Sequence, residues 1–181
     1  MTSRSRLITA DELIMLPDDG MRHELLKGRL LSYPFNGALH GFISAQLMML
    51  LSQTVKLDNL GRLCAPCGFK LESDPDTVLA PDMSFIRSKR AGEVSDGYPE
   101  GAPDLVVELL AYDDDKHWFE EKTALWFSGG ALSVWLIDLE TETVDVRGSN
   151  GERKLLAEND ELTGGELIPG FRIPVSEIFV D

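Results

Sequence analysis

The chain is predicted to be a mixed α/β protein in which helices flank a mixed central β-sheet, with an N-terminal hairpin and further strands towards the C-terminus. Apolar residues recur at three and four positions over residues 38–56, as in an amphipathic helix. Short apolar runs bounded by Gly, Pro and Asn indicate strands on both sides of it. Because helices are separated by groups of strands and not by single strands, a mixed sheet is favoured over a fully parallel one.

Length and composition indicate one domain spanning residues 1–181. The chain is 43% hydrophobic and 27% charged, which fits a globular protein with a sizeable core. No apolar stretch approaches the roughly 20 residues that a membrane helix requires, so no membrane association is expected. The first residues lead into an acidic helix signal and not into a signal-peptide core, so we expect a cytoplasmic protein.

The first elements are a short helix and a hairpin. Thr9 stands at a helix cap and Glu12 follows three positions later, which is the capping-box pattern. The pair Lys27-Gly28 is typical of a tight turn, because glycine adopts the backbone conformation that such a turn needs. The arms of the predicted hairpin are residues 23–26 and 29–33.

The remaining elements are predicted in the following order. A first long helix over residues 38–56 is followed by two strands, a polar connecting loop over residues 88–103 and the strand that contains Glu108. A second helix runs to about Ser128 and ends at Gly129-Gly130. The other strands are predicted at residues 63–72, 79–86, 132–138, 143–147, 153–156 and 167–173.

The run from Pro103 to Leu110 contains one carboxylate, Glu108, in an otherwise apolar strand. Continuous apolar runs are typical of strands buried on both faces, where an ionised carboxylate is costly unless it is paired or binds a metal. Glu108 is therefore either a member of a structural ion pair or a metal ligand. Asp82, which follows Pro81 at the head of another apolar run, and Glu24 in the hairpin are its candidate companions.

Lys122 is predicted to face the core. It lies in the middle of the apolar stripe of the second helix, between Trp118 and Trp126, and the preceding strand offers Glu108 as a partner. The distance is within reach, because the lysine stem is long and the helix returns alongside the strand. The alternatives are a purely structural Lys-Glu pair and a cation-π contact with one of the two tryptophans.

Three carboxylates and a lysine in one pocket have a specific chemical use. Mg²⁺ takes carboxylate oxygens and keeps several waters, so it can hold a phosphate and activate water for attack on it. In such a pocket Lys122 would stabilise developing charge or orient the water. The sequence has no Gly-x-Ser-x-Gly motif, which would indicate serine-based nucleophilic catalysis, and no Gly-rich phosphate loop of a nucleotide-binding protein.

Six segments together resemble the Uma2 family of restriction endonucleases, within the PD-(D/E)xK nuclease superfamily. The resemblance spans nearly the whole chain and is more specific than any short match. The segments are RHELLKG at 22–28, HG at 40–41, APDMSF at 80–85, GAPDLVVE at 101–108, EK at 121–122 and LIPGF at 167–171.

The resemblance implies a restriction-endonuclease-like core and hydrolysis of DNA phosphodiester bonds that depends on Mg²⁺, with Mn²⁺ as a substitute. Asp82 and Glu108 would be metal ligands, with the Leu109 carbonyl close to the ion and Glu24 completing the site. Lys122 would be the catalytic lysine, and a homodimer would be in keeping with nucleases that cut two strands with two subunits. His40, at a position matched in the family, and Arg22, in a small basic cluster, are the candidates for substrate contact.

Two features point to a second hypothesis. Ala111-Tyr112 stand where the family usually has Ser-Pro, and the net charge of −14 argues against broad electrostatic capture of nucleic acid. The alternative is therefore a catalytically inactive protein that keeps the nuclease fold as a binding or assembly module. The retained acids and the inward lysine favour the enzyme.

Cys64 and Cys67 have a spacing shared by zinc sites and redox motifs. Zinc needs two more ligands, and none lies at a suitable spacing. A redox pair would start a helix, whereas the following residues are typical of a strand. We therefore expect two reduced thiols.

Overall fold

The computed structural model describes residues 6–92, 96–112 and 114–179. The centre of the fold is a six-stranded mixed sheet. In chain order the strands of this sheet are β3 (Gly61–Cys64), β6 (Met83–Arg87), β7 (Leu105–Leu110), β8 (Ser133–Asp138), β9 (Thr143–Gly148) and β10 (Arg153–Leu156). The spatial order is β10-β9-β8-β7-β6-β3, in which β7 and β8 are parallel and the other neighbours antiparallel.

A second sheet has four strands and begins with the predicted hairpin. Lys27 and Gly28 have φ values of 51° and 74°, so both turn residues take the left-handed conformation of a two-residue hairpin turn. The register pairs Arg22 with Tyr33 and Glu24 with Leu31. The strands are β1 (Arg22–Leu26), β2 (Arg29–Tyr33), β4 (Phe69–Glu72) and β5 (Thr77–Leu79), and their spatial order is β2-β1-β5-β4.

In the described part of the chain, three α-helices pack on these sheets. Helix α1 (Ala10–Ile14) carries the predicted capping box, in which Thr9 accepts from the Glu12 backbone N–H and Glu12 reaches back to the Thr9 N–H. The long helix α2 (Ala38–Leu57) and the second helix α3 (Lys116–Ser128) cover opposite faces of the six-stranded sheet. Among the described residues no helix combines the length and the apolar character needed to cross a membrane.

The alternation of side chains along β7 explains its unbroken apolar sequence. Leu105, Val107 and Leu109 pack in the core beneath α2, whereas Val106 and Leu110 pack beneath α3. Both faces of the strand are therefore buried, as predicted. Glu108 lies on the α3 face, and this placement sends its carboxylate towards that helix.

The strand predicted at residues 63–72 is two strands, and the strand predicted at residues 79–86 joins the last residue of β5 to β6. The first run is interrupted between β3 and β4 and contains Pro66; the second is interrupted between β5 and β6 and contains Pro81. Proline has no backbone N–H to donate to a strand ladder, so each proline marks the break. The second break matters most, because it places Asp82 in the connection just before β6.

The strand predicted at residues 167–173 is wrong for most of its length. Residues 165–170 form turns and a bend, and Gly170 has a φ of 85°. The strand of this region is β12 (Arg172–Pro174), which pairs with β11 (Glu161–Thr163) and leads into a 3-10 helix (Val175–Ile178). Ile168 and Phe171 are nevertheless buried, so the apolar pattern reports burial in the core and not an extended backbone.

The expectation of two reduced thiols is also wrong. Cys64 and Cys67 form a disulfide, and their Cα atoms are 5.9 Å apart. The connection between β3 and β4 brings them together, so they belong to a turn and not to the start of a helix.

Candidate active site

The ammonium group of Lys122 lies at the centre of an acidic pocket. Its Nζ is 2.9 Å from Oε1 of Glu108 and 3.1 Å from Oε1 of Glu24, and it donates to the Ala80 carbonyl at 3.4 Å. The residue is only 4% exposed. The geometric prediction that this lysine meets the acids of the sheet is therefore confirmed, and the lysine does not extend into solvent.

The same oxygen of Glu108 also accepts a hydrogen bond from a tryptophan. The indole Nε1 of Trp126, one turn after Lys122 on α3, donates to Oε1 of Glu108 at 2.9 Å. Burial raises the pKa of Glu108 to about 7, because the neighbouring charges of Asp82 and Glu24 add to the cost of ionisation and Lys122 offsets only part of it. The carboxyl can therefore exchange a proton near neutral pH.

Glu24 closes the pocket from the second sheet. Its Oε1 accepts from the backbone N–H of Ala80 at 2.7 Å and also contacts Lys122. Its Oε2 is buried and, within the described part of the chain, has no hydrogen-bond partner. A buried carboxylate oxygen without a partner is costly, so this atom marks a position where a donor or a cation would be stabilised.

Asp82 joins the pocket to the backbone of β7. Its Oδ2 accepts from the Leu109 N–H at 2.8 Å and lies 3.2 Å from Nε2 of His40, while its Oδ1 lies 3.2 Å from Nη1 of Arg22. Burial alone would raise the pKa of Asp82, but His40, the hydrogen bond from the Leu109 N–H and the charge of Lys122 hold it below its ordinary value. Asp82 is therefore an ionised carboxylate at neutral pH.

His40 and Arg22, the candidates for substrate contact, both lie against Asp82. His40 comes from the first turn of α2, and its ring lies 2.7 Å from the Asn36 amide nitrogen and 3.5 Å from the Ser44 hydroxyl. The side chain of Arg22 is 30% exposed and is thus the more accessible of the two. The amide of Leu109 contacts Asp82; the metal contact predicted for its carbonyl stays a prediction.

Comparison with known proteins identifies the family. The chain matches the Uma2 family model, described as "Putative restriction endonuclease", over residues 10–176. The match covers well over half of the chain. The chain belongs to the Uma2 family.

The solved structures include a relative with the same fold. The Uma2 chain is similar to a crystal structure described as a putative nuclease belonging to DUF820 from Anabaena variabilis ATCC 29413, with a TM-score of 0.82 and 20% sequence identity. The similarity covers 95% of this chain and 97% of the other. It confirms the predicted restriction-endonuclease-like arrangement of mixed sheets and flanking helices. A search among curated proteins finds no match.

Tyr33 is a pocket residue that the sequence reasoning missed. It is paired with Arg22 across the hairpin, so Arg22, Glu24 and Tyr33 share one face of β1 and β2. Burial and the Glu24 carboxylate raise the pKa of Tyr33 to about 12, so its hydroxyl keeps its proton at neutral pH. The period of two along each arm could have placed Tyr33 on this face once the turn was fixed.

Each acid of this Uma2 pocket contacts a basic side chain, and the acids do not form a group of their own. In residues 6–92, 96–112 and 114–179 no three His, Cys, Asp or Glu side chains converge closely enough to form a metal-binding group. Lys122 lies between Glu24 and Glu108, and Arg22 and His40 lie against Asp82. Binding of an ion would therefore involve rearrangement of these pairs or a ligand set completed by waters and a phosphate.

Proposed function

We propose that this Uma2 protein is a Mg²⁺-dependent endonuclease that hydrolyses phosphodiester bonds of DNA. One observation carries the proposal: buried Lys122 contacts Glu108 and Glu24 at once, beside a third carboxylate, Asp82. A core built only for stability would gain from apolar residues at such positions, because burying charges costs several kcal/mol of hydration. Membership of the Uma2 family adds support at the level of nuclease function.

The residues present fit a hard divalent cation. Three carboxylates, Glu24, Asp82 and Glu108, face two permanently charged groups, Lys122 and Arg22, so the pocket has an excess of negative charge. The orphaned Oε2 of Glu24 and the raised pKa of Glu108 are two local signs of that excess. Asp82, Glu108, Glu24 and the Leu109 carbonyl would hold the ion, and all of them offer oxygen, the ligand that Mg²⁺ prefers.

When bound, Mg²⁺ would supply Lewis acidity at a phosphate oxygen and would acidify water. The reaction adds a water oxygen to phosphorus and breaks one P–O ester bond, so that one product ends in a phosphate and the other in a hydroxyl group. The side chains of this chain would position the phosphate and balance its charge.

Lys122 is suited to donate hydrogen bonds and not to accept a proton. Burial alone would lower the pKa of Lys122, but the charges of Glu108 and Glu24 raise it above its ordinary value. The ammonium therefore stays charged at neutral pH and would stabilise negative charge that develops on the phosphate. Arg22, partly exposed and in contact with Asp82, would contact the phosphate from the solvent side.

A second candidate function is a binding or assembly module without catalysis. The observation in its favour is that the acids already contact internal cations, and that no three metal-ligating side chains converge within the described ranges. In this alternative Lys122 would be purely structural.

Plasmid cleavage tests the proposal against the alternative. Supercoiled DNA is incubated with wild type in Mg²⁺, Mn²⁺ or EDTA, and calorimetry measures divalent binding. We expect nicking with either ion, no nicking in EDTA, and none by Asp82→Ala. The matched control is Asp58→Ala, which removes an exposed carboxylate at the end of α2 and should cleave like wild type. Inert wild type on both DNA and RNA, with no divalent binding, would exclude the enzyme.

A further inference from the structure

A narrow cleft adjoins the candidate active site. It has a volume of about 190 Å³ and is lined by Arg22 and Glu24 of the active site. Pro66 and Gly68 line it from the connection between β3 and β4, and Tyr98 lines it from the loop between β6 and β7. We call the space between these five residues the side cleft. Pockets for drug-sized ligands begin at about 300 Å³, so the side cleft has room for one planar ring system and not for a larger ligand.

The ring of Tyr98 lies directly against the backbone of Gly68. A Cβ atom at position 68 would be 2.5 and 2.6 Å from two ring carbons of Tyr98, well inside the roughly 3.5 Å at which carbon atoms touch. A side chain at this position would therefore push the ring away. Tyr98 also packs on the small apolar cluster that contains Leu25 and Val78, and it is half-buried. The ring is thus held in place while part of its surface stays open.

The side cleft offers the surfaces that a nucleobase uses for stacking. A base that stacks on an aromatic side chain gains about fivefold to a hundredfold in affinity, whatever its identity, because every base has a π-face. Pro66 adds a second apolar surface, and a disulfide closes the short turn that carries it. A tyrosine that only completed an apolar cluster would not need to border a cleft that begins at Arg22 and Glu24.

The charge of the chain makes stacking an effective source of affinity. The chain has 31 acidic and 17 basic residues, so its surface as a whole repels phosphates. In the active site, Arg22 is a partly exposed cation, whereas Lys122 is buried. A strand held at the active site therefore gains from a contact that needs no further cation, and a stacked base is such a contact.

We propose that the side cleft binds one unpaired base of the DNA strand being cleaved, with the base stacked on Tyr98 beside the scissile phosphate. The inference rests on the proposed function, because Arg22 and Glu24, which line the side cleft, are also proposed to contact the phosphate and the metal ion. A base in a duplex is paired and stacked, so it enters a pocket only after it has been turned out of the helix at a cost in free energy. The protein should therefore cleave at unpaired nucleotides in preference to fully paired DNA.

Cleavage of two matched substrates tests the inference. One is a fully paired duplex, and the other is the same duplex with one unpaired nucleotide. In Mg²⁺, wild type should cleave the second with a kcat/KM at least about tenfold higher. Tyr98→Ala, which removes the ring, and Gly68→Ala, which displaces it, should each bring the ratio of the two values close to one. Tyr98→Phe keeps the ring and should restore most of the preference.

A ring outside the side cleft provides the control. Tyr112→Ala removes a side chain that is 80% exposed and should keep the wild-type ratio. Far-ultraviolet circular dichroism checks that each variant is folded. Gly68→Ala deletes no side chain, so it tests the position of the Tyr98 ring even where loss of the whole ring disturbs the apolar cluster.

Binding without metal provides a measurement that does not depend on cleavage. The fluorescent base 2-aminopurine is placed at the unpaired position, and its fluorescence is followed while protein is added in EDTA. Wild type should give a saturable change, and Tyr98→Ala and Gly68→Ala should weaken the affinity about tenfold. Because stacking releases no counterions, the ratio of the wild-type and Tyr98→Ala affinities should be the same at low and high salt.

Failure of this base subsite can be distinguished from failure of the nuclease. Equal cleavage of paired and unpaired DNA, or a preference and an affinity that both ring variants retain, would overturn the subsite and leave the nuclease in place. The absence of a saturable fluorescence change with wild type would also overturn the subsite. Saturable binding that both ring variants weaken, without cleavage in Mg²⁺ or Mn²⁺, would uphold the subsite as a binding site and exclude the nuclease.

Discussion

Nζ of Lys122 lies 2.9 Å from Oε1 of Glu108, so an ammonium group from α3 contacts a carboxylate from β7 in the interior of the protein. Both side chains are at most 5% exposed. Water therefore screens the pair little, and each charge depends on the other for its stability.

Replacement of Lys122 by methionine should abolish DNA cleavage and destabilise the metal-free protein. Methionine keeps most of the volume but leaves Glu108 and Glu24 without their cation, and breaking a buried pair in this way costs about 3 to 5 kcal/mol. Divalent binding, measured by calorimetry, should persist because the carboxylates remain. Cleavage is measured on supercoiled plasmid and stability by urea unfolding in EDTA.

The control for this change is Lys116→Met. Lys116 also pairs with an acid, Asp138, but its side chain is 62% exposed, so water screens the pair and its loss should change stability little and leave cleavage intact. Cleavage by Lys122→Met at the wild-type rate would contradict a role for the lysine in catalysis.

Glu108 should make the metal-free protein less stable as the pH rises from about 4.5 to 7. Its pKa is about 7 in the folded state against an ordinary 4.5. In this window the unfolded chain has released the proton and the folded protein has kept it, so stability falls with rising pH. The full effect is about 3 kcal/mol. Below about pH 4.5 the carboxyl is protonated in both states, so the stability no longer changes with pH through this group and is at its highest.

Glu108→Gln should lack this dependence, because an amide does not titrate. Urea unfolding of both proteins at several pH values between 4 and 8 gives the difference in unfolding free energy, which should shift in favour of the glutamine variant as the pH rises. Glu166→Gln removes an exposed carboxylate and should show no such shift. A difference that is constant with pH would rule out the raised pKa.

Two of the four Pro-Asp pairs in the sequence, Pro81-Asp82 and Pro103-Asp104, stand at the head of apolar runs, and only the structure tells their roles apart. Asp82 faces the pocket, whereas Asp104 is fully buried at the start of β7. Asp104 accepts from the backbone N–H and the Nε of Arg87, each at 2.9 Å, and lies 3.2 Å from Nη1 of Arg90. It anchors the turn after β6 to the start of β7 and takes no part in the pocket.

Asp104→Asn should therefore destabilise the protein without inactivating it. The amide keeps the shape but cannot accept from all three donors as a carboxylate does, and we expect a loss of about 2 kcal/mol in unfolding free energy. Cleavage per folded molecule should match wild type, in contrast to Asp82→Ala. An inactive but fully folded Asp104→Asn protein would show that the two aspartates had been assigned the wrong roles.

Sequence reasoning succeeded where the signal is local. The capping box, the hairpin turn and α2 follow from patterns a few residues long, and the inward position of Lys122 follows from one helix face. The break before Asp82 was missed, although Pro81 marks it, because the apolar run continues across it.

Local sequence patterns could not predict the tertiary contacts within the pocket. The hydrogen bond from Trp126 to Glu108 and the shared face of Tyr33 and Glu24 depend on strand register and on how α3 lies over the sheet. The disulfide depends in the same way on the path of the chain between β3 and β4.

Tyr33→Phe should slow cleavage about tenfold to a hundredfold and leave metal binding unchanged. The phenol shares the hairpin face of Arg22 and Glu24, and burial raises its pKa to about 12, so it remains a neutral hydrogen-bond donor up to strongly alkaline pH. It carries no ionised oxygen that could bind a cation, so its loss should affect the rate and not the affinity for Mg²⁺ measured by calorimetry. Tyr112→Phe removes a phenol from a side chain that is 80% exposed and should cleave at close to the wild-type rate. If Tyr33→Phe cleaves as fast as wild type, the hydroxyl makes no contact with the phosphate during the reaction, and the hairpin contributes to catalysis through Glu24 and Arg22 alone.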